Sequence, residues 1–248
     1  MQLLGATALV TGANRDLGRQ FAQQLLQRGA AKVYATARRA ELVDLPGVEV
    51  LPLDITDPES VTATAAVAGD VDLLVNNAGV SLGVNLIDGD LADIRRTLDT
   101  HFYGTLAVIR AFAPVLGANG GGAILNVLSN LAWMSFDGNN AYAVAKSAQW
   151  SLTNGVRLEL AGQGTLVTGL VFGPTATETM KAYAERSPGA GGLSGVEMND
   201  PVDIVRIALD GVEKGRIEVI ADQFGAEAKA ALAGDPRAFT LGRPADQT

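Results

Sequence analysis

Tyr142 and Lys146 stand four residues apart in Tyr142-Ala143-Val144-Ala145-Lys146, inside a run of helical period. A helix therefore puts the phenol and the ammonium on one face. A free tyrosine titrates near pH 10, too high for a base at neutral pH, but a cation within about 4–6 Å stabilises phenolate and lowers that value by roughly 1–3 units. The pair becomes a candidate acid/base. Taken alone, the spacing favours a solvated helix face, where such pairs are common. Ser129 lies thirteen residues upstream at the end of an apolar run, where its hydroxyl is placed to hold a substrate oxygen beside the phenol.

Two further segments carry chemistry. Thr11-Gly12-Ala13-Asn14-Arg15-Asp16-Leu17-Gly18 follows the first apolar run and leads at once into a helical pattern. A turn of this kind offers unpaired helix N–H groups and the positive end of a dipole to a pyrophosphate, and its glycines let backbone and phosphate approach. By itself it is also found in many unrelated strand–turn–helix units. Asn76-Asn77-Ala78-Gly79 ends the fourth apolar run. It reads either as a polar tip facing the same crevice or as an Asn-rich turn with a left-handed glycine.

The elements that must position these residues are legible as alternating patterns. Strands are expected at Ala6–Val10, Lys32–Thr36, Val48–Leu51, Asp72–Val75, Ala123–Val127, Leu166–Val171 and Arg216–Ala221. Helices are expected at Leu17–Arg28, Pro58–Ala68, Leu91–Leu116, Ala141–Leu160 and Pro201–Val212, with Asp57 and Asp200 as caps before their prolines. Strands apolar on both faces must be covered above and below, so the expected fold is α/β: a doubly wound parallel sheet of about seven strands with helices on both faces. Residues 1–248 read as a single domain, with loops at Gly117–Gly122 and Ser187–Asp200 and a short helix and polar tail after residue 225. The stretches Phe102–Leu116 and Val144–Leu160 are apolar almost all round. A second apolar face needs cover, either from the chain's own loops or from another copy, which predicts a homodimer or homotetramer through these helices.

Composition removes several function classes. The chain has 248 residues, 19 Lys+Arg against 27 Asp+Glu and a formal net charge of −8, so nucleic acid or an anionic membrane surface is not the expected partner. It has no cysteine, which excludes thiolate metal sites and a Cys nucleophile and suits a reducing, cytoplasmic address. Leu3–Val10 reads as a strand rather than a signal peptide, because no basic residue precedes it and it runs straight into the Thr11-Gly12 turn. No window offers the ~18 apolar residues of a membrane span.

The Thr-Gly-x-x-x-x-x-Gly turn, Asn76–Gly79, Ser129 and Tyr142-x-x-x-Lys146, in this order and spacing, resemble the single-domain short-chain dehydrogenase/reductases over residues 6 to 221. The resemblance implies a Rossmann-type fold and hydride transfer between a nicotinamide cofactor and an alcohol or carbonyl carbon. Tyr142 would be the proton donor and acceptor, with Lys146 depressing its pKa and holding the nicotinamide ribose and Ser129 orienting the carbonyl. Asp54 matches the family's adenine-contacting acid, and Phe172-Gly173-Pro174-Thr175-Ala176-Thr177 resembles the loop beside the carboxamide. Carried over residue by residue, catalysis falls to Ser129, Tyr142, Lys146 and His101. Cofactor binding falls to Gly12, Asn14, Arg15, Leu17, Gly18, Arg38, Asp54, Ile55, Asn76, Ala78, Gly79, Tyr142, Lys146, Gly173, Thr175 and Thr177. The family's substrate lid would fall on Glu178–Asp200. No metal is implied.

At the tip of the second strand Ala37-Arg38-Arg39 carries no acid for a ribose 2′-hydroxyl, and Arg15 faces it from the turn. This favours NADP(H) over NAD(H), the alternative being that Arg38 and Arg39 are simply solvated. Three positions depart from the family pattern. Asp16 stands at the middle glycine of the turn, where a carboxylate close to the cofactor phosphates should weaken affinity unless Arg15 or Arg38 offsets it. On that expectation Asp16→Gly tightens cofactor binding. His101, the only histidine, stands where the family has a relay asparagine; it is either a substitute that shuttles protons or a packed structural residue. Phe172 replaces a loop proline. These departures keep open a member that binds cofactor without turnover, as a sensor or scaffold, and a weaker reading as a cofactor-independent dehalogenase. The substrate pocket would come from Val80–Leu86, Leu131–Asn140 and the lid, and Trp133, Met134 and Phe136 either line it, which would suit an apolar, aromatic carbonyl or alcohol substrate, or belong equally well to the core.

Overall fold

In β1 (Thr7–Thr11), β4 (Leu73–Asn76) and β5 (Ala123–Val127) every residue is buried, and in β2 (Lys32–Ala37) and β7 (Leu166–Val171) all but the first. Apolar side chains on both faces of a strand demand cover on both sides, and these strands have it. A computed structural model describes residues 1–186, 197–235 and 240–241. With the edge strands β3 (Glu49–Pro52) and β8 (Glu218–Ile220) they form a seven-stranded, all-parallel sheet in the order β3-β2-β1-β4-β5-β7-β8. The chain runs outward from β1 to β3, then returns to β4 and proceeds the other way. That reversal leaves a crevice at the carboxyl ends of β1 and β4, the place where doubly wound sheets bind ligands.

Alternation along the strands feeds two cores. Ala8 and Val10 of β1 pack with Phe21 and Leu25 of α1 (Asp16–Gln27) and with Ile204, Val205 and Leu209 of α7 (Pro201–Glu213). Leu9, Leu74, Ile124 and Val167 face Val61 of α2 (Pro58–Val67), Val108 and Phe112 of α4 (Thr105–Ala118) and Val156 of α5 (Asn140–Glu159). The expected caps form: Asp57 accepts from Glu59 N and Asp200 from Val202 N, each ahead of a proline whose missing N–H is not needed in a first turn.

The long helix expected over Leu91–Leu116 is interrupted. α3 (Leu91–Leu98) gives way to a π-helical turn at Asp99–Gly104 before α4 begins. One extra residue in that turn leaves the apolar rhythm nearly intact, which is why the pattern hides it. The Ser187–Asp200 loop and the lid expected over Glu178–Asp200 fall partly on 187–196, outside the described residues; within the described part, α6 covers Glu178–Arg186. The short helix expected after residue 225 is α8 (Gln223–Ala231), and part of the tail lies outside the described residues. Beyond it, β9 (Thr240–Leu241) pairs in parallel with β6 (Ser135–Phe136), a contact that period and composition do not announce.

Candidate active site

A cleft of about 1040 Å³ opens at the carboxyl ends of the strands, large enough for a dinucleotide with a small substrate. Most of the expected site residues line it: Gly12, Asn14, Arg15 and Leu17 from the β1–α1 turn, Arg38 past β2, and Asp54 and Ile55 past β3. Ala78, Gly79 and His101, then Ser129, Tyr142 and Lys146, and finally Gly173, Thr175 and Thr177 complete the wall. Because α1 starts at Asp16, its first-turn N–H groups lack intrahelical acceptors beside this wall. Arg38 and Arg39 are exposed, and Arg39 lines the cleft too.

Two residues expected on the cofactor stand behind the wall instead. Asn76 is buried, and its amide donates to Asn126 Oδ1 at 2.9 Å across β4 and β5. The amide that reaches the cleft belongs to Asn77, which donates to the carbonyls of Thr11 (3.0 Å) and Gly12 (3.2 Å) and so fixes the turn. Gly18 is absent from the wall because α1 lies directly on the turn: a Cβ there would sit 2.0 Å from the Gly12 carbonyl oxygen.

Ser129 ends the β5 segment and caps a short 3₁₀ turn, its Oγ accepting from Leu131 N and donating to Asn130 Oδ1, both at 3.2 Å. Ser129 and Tyr142 line the same cleft, and the serine hydroxyl acts to lower the phenol's pKa. α5 delivers Tyr142 and Lys146 from adjacent turns, with Lys146 Nζ 5.5 Å from the centre of the tyrosine ring. The ammonium donates to the Val127 carbonyl (2.8 Å) and to Gln149 Oε1 (2.9 Å). Gln149, which the spacing did not single out, is itself held by Thr105 at 3.0 Å.

The expected depression of the Tyr142 pKa does not hold in this arrangement. Burial raises the phenol above its ordinary value, with the Ser129 hydroxyl as the opposing influence, so the tyrosine is held protonated. Burial also lowers the Lys146 ammonium to about 7. His101 is pulled down to about 3, by burial first and then by the charge of Lys146, against the opposing bond to Val80. It is a neutral imidazole: Nε2 lies 2.8 Å from the Val80 carbonyl oxygen, which makes it the donor, and Nδ1 is buried without a hydrogen-bond partner.

Asp16 does not present its carboxylate to the cleft as a bare charge. Its Oδ1 accepts from Glu178 N at 2.8 Å and its Oδ2 from the Thr179 hydroxyl at 2.6 Å, at the start of α6. Arg15 Nε is 3.7 Å away. Carboxylates are favoured at helix N-termini, which is why this one turns to α6.

Sequence comparison matches the short chain dehydrogenase family over residues 6–188. The chain belongs to that family of oxidoreductases. A crystal structure of a short-chain dehydrogenase from Burkholderia cenocepacia in complex with NADP superposes with a TM-score of 0.86 at 35% identity, covering 96% of this chain and 97% of that one. An NADPH-dependent 1-acyldihydroxyacetone phosphate reductase of Schizosaccharomyces pombe is 34% identical over 68% of this chain and 60% of its own length. An NADP-dependent 3-hydroxy acid dehydrogenase of the same yeast is 29% identical over 89% of this chain and 92% of its own.

Within this short-chain dehydrogenase, the loop that follows β7 is tied from the carboxyl end of the chain by a residue outside the motifs. Asp222 accepts from Gly173 N (2.6 Å), Asn199 Nδ2 (2.5 Å) and Gly225 N (2.7 Å). The two loops expected to shape the substrate pocket are stitched together by Asn85, whose Oδ1 accepts from Gly138 N and Asn140 Nδ2, both at 2.9 Å. Of the three residues that could belong to pocket or core, Phe136 lines the cleft. Trp133 does not: it is buried with Leu128, Val171 and Ala228, edge-on to Trp150 at 6.1 Å, and belongs to the core. Among the described residues no cluster of three His, Asp or Glu could hold a metal, and no helix is long and apolar enough to cross a membrane.

Proposed function

We propose that this chain is an NADP(H)-dependent oxidoreductase that interconverts an alcohol and a ketone or aldehyde, with Tyr142 as general acid/base. The observation that carries the reading is that one cleft joins the glycine turn and Arg38 at one end to Ser129, Tyr142 and Lys146 at the other. Such a cleft at the switch point fits a dinucleotide. When bound, a nicotinamide supplies or accepts hydride. Ser129 and the Tyr142 hydroxyl hold the substrate oxygen. Because burial keeps the phenol protonated, it is poised to give its proton to the oxygen as negative charge develops there, and the Lys146 ammonium stabilises the phenolate left behind.

The preference for NADP(H) rests on Arg38 and Arg39, which make no ion pair among the described residues, assisted by Arg15. The relatives whose names specify NADP or NADPH support it. The wall on the Ser129 and Tyr142 side draws on Val80, Leu82, Leu131, Phe136 and Met180, a lining suited to an apolar carbonyl substrate. His101 enters as a neutral positioning group against Tyr142. With the Asp16 carboxylate engaged by α6, one of the two grounds for a member without turnover falls away. Tyr103 of the π turn and Val144 and Leu158 of α5 are exposed apolar residues and mark the surface through which a homodimer or homotetramer would form.

The test follows reduced-nicotinamide absorbance with a panel of apolar ketones and aldehydes. Wild type should oxidise NADPH, and Tyr142→Phe should lose about 10²–10⁴ in kcat while still binding NADPH. Unchanged turnover in Tyr142→Phe, or wild type that binds neither cofactor, overturns the reading.

A further inference from the structure

Asp16 is, among the described residues, the one non-glycine with a positive φ, at +49°. A carboxylate-bearing residue in a conformation that favours glycine calls for a compensating contact, and here it has two. Glu178 N and the Thr179 hydroxyl both donate to it, 162 and 163 positions along the chain. The helix α6 thus receives two caps at its start: Thr177 Oγ1 accepts from Met180 N at 3.1 Å, and Asp16 takes the N–H of Glu178. Thr177, Glu178, Thr179 and Met180 all line the cleft, so the start of α6 forms part of its cover.

We infer that Asp16 is a positioning residue that latches α6 to the phosphate-side turn, making closure over the substrate and occupation of the cofactor site mutually reinforcing. The inference rests on the cofactor reading above. While α6 is docked, the carboxylate is neutralised by a helix N-terminus and a hydroxyl, and an anionic pyrophosphate on the neighbouring N–H groups is tolerated. If α6 leaves, a bare carboxylate faces that position and repels it. Linkage then runs both ways: a bound dinucleotide holds α6 down as strongly as docked α6 favours the dinucleotide. The position in the turn that looks like a defect for cofactor binding becomes the element that orders the substrate side second.

The test is amide hydrogen exchange over residues 178–182 in the full chain, with and without NADP⁺, together with steady-state kinetics. In wild type NADP⁺ should slow exchange there. Asp16→Gly suits the left-handed backbone and keeps the fold. It should exchange faster without cofactor, lose the slowing by NADP⁺ and raise KM for the carbonyl about tenfold, with kcat and cofactor affinity changed less than about threefold. Asp16→Asn keeps an acceptor for Glu178 N and should recover part of the protection and of KM. Thr179→Val, which removes one bond from the other side, should move KM in the same direction by about threefold. Wild-type exchange and KM in Asp16→Gly overturn the latch. Failure of the cofactor reading is separately visible, as wild type that binds no NADP⁺ while Asp16→Gly still loosens α6.

Discussion

The imidazole of His101 meets the ring of Tyr142 edge-on, with centroids 5.1 Å apart and planes at 90°. The π turn at Asp99–Gly104 swings the histidine into this position, and Gly79 makes room for it, since a Cβ there would lie 2.6 Å from His101 Cε1. A polar ring packed this way is held neutral, which has a consequence for stability.

Burial brings the His101 pKa to about 3 from an ordinary 6.5. Between those values the unfolded chain binds a proton that the folded chain refuses, so stability falls as pH drops from 6.5 toward 3. The contribution is about 3 kcal/mol between pH 6.5 and pH 4, taking 1.36 kcal/mol per unit. His101→Asn removes this group but leaves the carboxylates, so its thermal midpoint should fall less steeply over that range than that of wild type. Parallel midpoint curves would show that His101 is protonated in the folded chain.

Arg38 is exposed at the tip of β2 with no carboxylate partner among the described residues. Arg38→Asp exchanges a phosphate partner for an acceptor of a ribose hydroxyl. The ratio of NADPH to NADH affinity should drop by about 10–100-fold, the worth of one charge-assisted hydrogen bond. Titration of both cofactors measures it, and an unchanged ratio would leave the arginine merely solvated.

The sheet was legible because its strands are short, apolar on both faces and separated by helical rhythms, and because Asp57-Pro58 and Asp200-Pro201 punctuate two helix starts. The Ser129, Tyr142 and Lys146 constellation was legible for another reason: fixed spacing on strand and helix translates directly into shared space. Asn76 was misplaced because adjacent residues of a strand point to opposite faces, and sequence alone does not say whether the first or second asparagine turns inward. Asp16 was misread because its partners, Glu178 and Thr179, are distant in the chain. Local charge arithmetic counted the phosphates and not the helix that arrives from elsewhere. The expected lowering of the Tyr142 pKa left out burial, which acts in the opposite direction and is invisible in a four-residue spacing.

Gln149 belongs to the same class of hidden partner, accepting from Lys146 and donating to Thr105. Gln149→Met preserves bulk but takes one acceptor from a buried ammonium already lowered to about 7. The charged form loses support, so the Lys146 pKa should fall further. If catalysis needs the cation, the alkaline limb of the kcat/KM profile should move about one unit toward acid. A profile that keeps its midpoint while only the rate drops would assign Gln149 to packing.

Gly18 tests how tightly the first turn of α1 must lie on the glycine turn after β1. An added Cβ would meet the Gly12 carbonyl oxygen at 2.0 Å and the Asn77 amide nitrogen at 2.6 Å. The nearer atom is backbone, so no rotamer change relieves it, and the start of α1 must lift from β1. That movement breaks the close approach on which Asn77 depends when it bridges the carbonyls of Thr11 and Gly12. Gly18→Ala should therefore destabilise the fold by about 2–3 kcal/mol, in the range of overpacked sites, measured as a lower denaturant midpoint. The same displacement carries the first-turn N–H groups away from where a pyrophosphate would sit, so cofactor affinity should fall in parallel with stability. Asp16→Gly separates these effects, because it frees α6 without moving α1. A Gly18→Ala protein with wild-type stability would mean that α1 and the turn can part without cost.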